Sequence, residues 1–174
     1  GLLQISIIVA ADAFFSKESF VNGVTLLGFH LVSRFRSDVS LKYLYTGQKT
    51  GKKGRPKEVD GKVDLDSLRM DVFQEENYDD GEGKTITLHT AVVRATSLKR
   101  NVRVVIVDCM EPSKKTQTRK VFFSTDTEMS AKDIMDIYRT RFQIEFLLRD
   151  SKQYTGLTHC QSRQKEALAF HFNM

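Results

Sequence analysis

The first regular pattern in the chain is an apolar run, Ile5, Ile7, Ile8, Val9, Ala10 and Ala11, which reads as a strand buried on both faces and ends at Asp12. Ser16 then caps a helix in which Phe20, Val24 and Leu27 recur at helical spacing, Gly28 closes it, and residues 30–35 form a second short strand. This is a strand-helix-strand unit of the parallel kind, and an open α/β sheet places its binding crevice at the carboxyl ends of such strands, where Asp12 stands. Asp12 has a plainer reading too, as a side chain that satisfies amides in the turn before the helix. From residue 41 to 125 the period changes. Strand patterns at 69–73, 86–94, 102–107 and 120–124 are separated by an acidic turn over 75–83 and a basic turn over 99–101. Hairpins joined by short turns pair with their neighbours, so this stretch predicts a small antiparallel sheet that extends the core. The third zone opens at Ser130, an N-cap with Asp133 three residues on, and predicts one helix to about Lys152, with a second amphipathic segment over 164–172.

On that long helix Tyr138, Arg141, Glu145 and Lys152 are spaced by three, four and seven residues, steps that return a side chain to within roughly 60° of its starting direction. The four define a charged stripe, with Ile137, Ile144 and Leu148 on one flank and Met135, Phe142 and Phe146 on the other. An ordinary amphipathic helix keeps its charges opposite its apolar face. A carboxylate inside the packed face is costly to desolvate and needs a cation, which makes Glu145 a candidate ligand. The competing reading is a surface helix on which Arg141 and Glu145 form an i,i+4 ion pair.

Length and charge narrow the choice. A chain of 174 residues supports one core with an elaboration, and a formal charge of +5 suits an anionic partner such as nucleic acid. The basic excess is concentrated where Gly47, Gly51, Gly54, Pro56 and Gly61 interrupt Lys49, Lys52, Lys53, Arg55, Lys57 and Lys62, a composition that predicts an exposed, phosphate-contacting loop. Its Gly-Arg-Pro core, Gly54 to Pro56, resembles that of peptides that follow a narrow minor groove. Cys109 and Cys160 form no disulfide framework or metal pair, so a reducing cytoplasm is expected, and His159 beside Cys160 lacks a second pair at metal spacing, so these two read as structural. No apolar run reaches the ~20 residues of a membrane span. The chain begins without methionine and its last helical pattern stops without a cap, as expected of a piece cut at both ends.

The spacing Y-x2-R-x3-E-x6-K, met by Tyr138, Arg141, Glu145 and Lys152, resembles the signature of the DDE transposases of bacterial insertion sequences, in the branch with a β-insertion before the last catalytic helix. The strand ending in Val9-Ala10-Ala11-Asp12, the helix, and Gly28-Phe29-His30-Leu31-Val32-Ser33-Arg34 are similar to the block that carries the family's second catalytic aspartate. Ala13 stands where some relatives have arginine, and the family's first aspartate has no counterpart in the chain.

The resemblance implies an α/β fold, the second half of a ribonuclease-H-like core with an inserted antiparallel sheet: core residues 1–40, a β subdomain over 41–125 with the basic loop, and residues 126–174 with the glutamate helix and the helix after it. It implies that Asp12 and Glu145 are catalytic metal ligands for a pair of Mg²⁺ or Mn²⁺ ions, completed by an aspartate outside this chain, without which the chain alone is inactive. It implies DNA contacts by Tyr138, Arg141 and Lys152, with Arg34 on the same surface and Lys52, Lys53 and Arg55 in the basic loop. The expected partners are transposon-end and target DNA and a second copy of the protein in the DNA complex, with no membrane and no nucleotide cofactor, in the bacterial nucleoid. Two other classes are open: a ribonuclease-H-like nuclease without strand transfer, and a non-catalytic DNA-binding remnant of a decayed element.

Overall fold

The apolar run at the start of the chain forms β1 (Ile8–Ala10), which pairs in parallel with β2 (His30–Arg34), Ala10 standing opposite Val32. A single 3-10 turn, Ala13–Phe15, and then α1 (Glu18–Leu26) connect them. The computed structural model describes residues 6–47, 56–79, 85–110, 117–154 and 164–173. Gly28 ends the helix as expected: its φ of +82° lies in the left-handed region that glycine alone enters without steric cost. The start of the helix differs from expectation. Lys17 occupies the cap position without a side-chain bond. The Ser16 hydroxyl is engaged by β2 instead, 2.8 Å from the Arg34 carbonyl and 2.9 Å from Ser33 Oγ.

The rest of the sheet comprises β3 (Leu41–Leu44), β4 (Val59–Lys62), β5 (Gln74–Asp79), β6 (Thr85–Ala95), β7 (Arg100–Met110) and β8 (Gln117–Ser124). All eight strands join in the order β1-β2-β8-β7-β6-β3-β4, with β5 also on β6. Every pairing after β1 with β2 is antiparallel. The long β6 receives β3 near its end, Leu41 opposite Ala95, and β5 near its start, Asp79 opposite Thr85, so these two share one edge. β8 returns beside β2, Val32 opposite Ser124, and this makes the antiparallel ladder continuous with the parallel pair.

Residues 69–73, expected as a strand, form a turn in which the amides of Val72 and Phe73 both donate to the Arg69 carbonyl at 3.0 Å. The turn sends the Phe73 ring into the core, edge-on to Tyr43. The acidic segment expected as a turn over 75–83 instead begins as strand β5. Strand preference depends on pairing and burial more than on residue type. Here six residues find partners on β6 and Tyr78 points inward, while Glu75, Asn77 and Asp79 stay exposed on an edge whose charge opposes further pairing. β4 lies inside the segment read as a basic loop and β3 just before it, and with β5 these are the strands that the pattern missed.

Alternation along β2 and β8 divides the core in two. On one face Leu31, Phe35, Val104, Ile106 and Phe123 pack with Val21 of α1. On the other, Val32, Val105, Val107 and Phe122 pack with Ile134, Met135 and Tyr138 of α2 (Ala131–Thr140). Ser130 opens α2 as expected, accepting the Asp133 amide at 3.1 Å and donating to the Asp133 carboxylate at 2.7 Å. The single helix expected to reach Lys152 is broken: α2 stops at Thr140, Arg141 lies in a turn, and α3 (Phe142–Tyr154) follows, with α4 (Lys165–Asn173) after it. The chain divides into two compact units at the last residue of α2, residues 1–139 and 140–174. Among the described residues, no helix is long and apolar enough to cross a membrane.

Near β4, Asp60 sits between Lys57 at 2.6 Å and Arg69 at 3.1 Å, and Arg69 also holds Asp71 at 2.9 Å. The hydrogen bonds from these cations hold the Asp60 and Asp71 carboxyls below their ordinary value, and the carboxylates push the Arg69 guanidinium further up. A carboxyl whose folded value is depressed stabilises the fold above its unfolded value, and that contribution is lost as pH falls through the folded value. NMR titration of the carboxyl carbons should therefore give Asp60 and Asp71 midpoints below 3.8. Midpoints at or above it would show that the cluster does not persist in solution.

Candidate active site

Asp12 follows β1 at the carboxyl end of the parallel pair and is exposed. One of its carboxylate oxygens accepts the Phe14 amide at 3.2 Å, and its own carbonyl accepts the Phe15 amide at 2.9 Å and the Ser33 hydroxyl at 3.1 Å. Ser33 is fully buried in β2, so the turn carrying Asp12 is tied to the adjacent strand through Ser33 and, beyond it, Ser16. The turn-capping role and an outward-facing carboxylate coexist in one residue. Sequence reading missed the two serines as supports, because their pairing depends on a contact across the sheet.

Arg34 and Tyr138 are each neighbours of Phe122. In the β2–β8 register Arg34 stands opposite Phe122, and the Phe122 ring lies edge-on to Tyr138 with centroids 4.8 Å apart. Tyr138 is only 8% exposed, and its ring is part of the core beneath α2. The outer side of α2 is fixed by a short relay: Arg139 donates to the Tyr78 hydroxyl at 2.9 Å, and Tyr78 donates to Asp136 at 2.7 Å. Burial pushes the Tyr78 phenol up, which keeps it protonated and able to donate. The pattern gave no sign of this relay, since residue 78 fell in a segment read as a turn.

In the second unit, Arg141 donates to Glu145 at 3.1 Å, the i,i+4 pair of the plainer reading, and its guanidinium lies 4.7 Å from the Phe142 ring centroid. The Glu145 side chain is 60% exposed. Seven residues further along α3, Lys152 shares the Glu145 stripe and is also exposed. The flanks are not the packed walls that the pattern predicted: Phe142, Ile144, Phe146 and Leu148 are exposed and α3 has no buried residue. Tyr138 stands on α2, Arg141 in the turn that follows it, and Glu145 and Lys152 on α3. Asp12 belongs to the first unit and Glu145 to the second. Lys52, Lys53 and Arg55, with His159 and Cys160, lie outside the described residues.

Asp12 and Glu145 offer the hard oxygen donors that magnesium or manganese prefers, and both are accessible. Among the described residues no three of His, Cys, Asp and Glu gather as a metal site. The donor type therefore fits a divalent cation, while the donor number requires further ligands.

A family model described as Transposase DDE domain matches residues 3–174. No curated protein matches the chain.

Proposed function

The chain belongs to the transposase DDE domain family, and from that premise we propose that it forms the later part of a catalytic domain that cuts and joins DNA at the ends of a bacterial insertion sequence. Membership implies an enzyme of the nuclease and transposase type, with DNA as its substrate. The observation that carries the finer reading is the position of Asp12, an exposed carboxylate on a braced turn at the carboxyl end of a parallel strand pair.

In this reading Asp12 and Glu145 hold magnesium or manganese together with a carboxylate from outside the chain. Such ions, when bound, lower the pKa of an attacking water and stabilise the leaving 3′ oxygen. Asp12 is oriented by the Phe14 amide, so its turn need not reorganise to present the carboxylate. Arg141 neutralises Glu145 before DNA arrives, and its planar guanidinium suits a backbone phosphate. Lys152 adds a point charge on the same stripe. With its ring packed on Phe122, Tyr138 contacts the backbone through its hydroxyl. Two carboxylates are too few for an ion pair, so the 174-residue chain alone should not cleave. Two copies act on paired ends, in the nucleoid.

The direct test is a crystal of the full-length protein soaked in Mn²⁺. Anomalous density shared by Asp12 and Glu145 is the expected result, and density bound elsewhere, with these two carboxylates apart, overturns the ligand assignment. Lys152→Ala in the same protein should weaken binding to all duplexes alike and lower the slope of log affinity against log salt by about 1, as measured by salt-dependent anisotropy. An unchanged slope would remove Lys152 from the DNA surface.

A further inference from the structure

β2 leaves the ladder at Phe35, whose amide makes the last bond to β8, 2.8 Å from the Val121 carbonyl. Beyond that point the first residues of β8 pair with β7 on one side and, among the described residues, with no strand on the other. The notch so formed is a cavity of about 510 Å³ lined by Arg34, Arg36, Arg119 and Lys120, with Asp66 as its acidic member. Buried Phe35 and Val121 supply its apolar floor.

These cations are not equally committed. Arg34 and Lys120 have no side-chain hydrogen bond or ion pair among the described residues. Arg36 is paired loosely with Asp38, at 3.8 Å and with both side chains exposed. Arg119 is aimed by Asp108 on the neighbouring strand, at 2.6 Å, and reaches Asp66 at 3.5 Å. A guanidinium has five N–H donors, so these two contacts leave others for a ligand.

Alternation along β8 sends Arg119 and Lys120 to opposite faces, while Arg34, opposite Phe122, shares the Lys120 face. Charge therefore spans the sheet edge from one face to the other. A lone phosphate would occupy one side of such an edge, whereas a chain of phosphates crosses it. The notch is also next to the Asp12 turn, since Arg34 follows Ser33, whose hydroxyl holds the Asp12 carbonyl.

We propose that the notch at the β2–β8 edge, built from Arg34, Arg36, Arg119 and Lys120, binds a run of phosphodiesters in the DNA strand that passes the Asp12 turn. The assignment rests on the DNA reading above and adds Arg36, Arg119 and Lys120 to the surface. The same backbone chemistry is offered by the transposon end and by target DNA, and separate probes distinguish them.

The test is salt-dependent anisotropy with the full-length protein on two labelled duplexes, one ending in the element's terminal repeat and one of random sequence. The double variant Arg34→Gln, Lys120→Gln should lower the salt slope by about 2 on the duplex that occupies the notch, so the affected probe names the source. Asp66→Asn, at a fully exposed carboxylate, should tighten the same duplex by about twofold or more because it removes a like charge facing the phosphates. A gain of affinity is not expected of a merely structural residue. If both variants match the parent on both probes while Lys152→Ala still lowers the slope, the notch is overturned and the DNA reading stands. If the parent protein binds neither duplex, both fall together.

Discussion

Replacing Glu145 with alanine in the full-length protein should bring cleavage of transposon-end DNA down by about a thousandfold or more, the scale set by removing a group that stabilises charge in a transition state. Binding of the same DNA should stay within about twofold, because rim charges outside the metal set dominate duplex affinity. The asymmetry follows from the pair seen at the start of α3. Glu145 is the carboxylate partner of Arg141 at 3.1 Å, so under the proposed assignment its removal takes away a metal ligand while leaving Arg141 with more freedom to hold phosphate. Glu145→Gln keeps the side chain's size and a hydrogen bond to Arg141 but loses the charge, and it should be equally inactive. A role limited to the ion pair would instead leave Glu145→Gln close to full activity, since an exposed i,i+4 pair contributes only a few tenths of a kcal/mol to helix stability. Gel assays of end cleavage, with binding measured on the same preparations, decide between them. Retained cleavage by Glu145→Ala would sink the metal assignment.

The largest loss of stability is expected at Phe123. It is completely buried near the end of β8, opposite Ser33 of β2 and Val104 of β7, with its ring stacked on Phe35 at 4.1 Å. Phe123→Ala should cost about 3–5 kcal/mol, because the lost transfer energy is joined by a cavity that two flanking strands cannot collapse. Domains are stable by only about 5–15 kcal/mol, so the melting temperature should fall by on the order of 10 °C. Ser33, which braces the Asp12 turn, is the cross-strand neighbour of Phe123, so this loss in the core should also loosen the candidate site. Leu148→Ala on α3 provides the contrast. Leu148 is half exposed, and its removal should change stability by less than about 1 kcal/mol. Urea melts of both variants measure the difference, and a Phe123→Ala loss below about 1 kcal/mol would contradict the packing described for β8.

The features legible along the chain were those that depend on neighbours a few residues away. Gly28 marks the end of α1 because a left-handed residue is a local requirement, and Ser130 with Asp133 marks the start of α2 because the capping bonds span one turn. The alternation in β6 and β7 was legible because each strand carries its own two-residue period. The family was legible for the same reason, from spacings within short segments.

Tertiary structure alone decided where side chains with two options went. The Ser16 hydroxyl turned from helix cap to strand brace once Ser33 and Arg34 were brought beside it. Residues 74–79 became an edge strand because β6 offered a ladder of amides and carbonyls, whose pairing outweighs the weak strand preference of Glu and Asn. Tyr138, read as part of a charged stripe, was drawn into the core by Phe122, because hydrophobic burial rewards area removed from water and is indifferent to the motif a residue belongs to. The cationic notch is the extreme case: Arg34 and Lys120 are distant along the chain, and only the return of β8 to the edge of β2 gives them a common cavity.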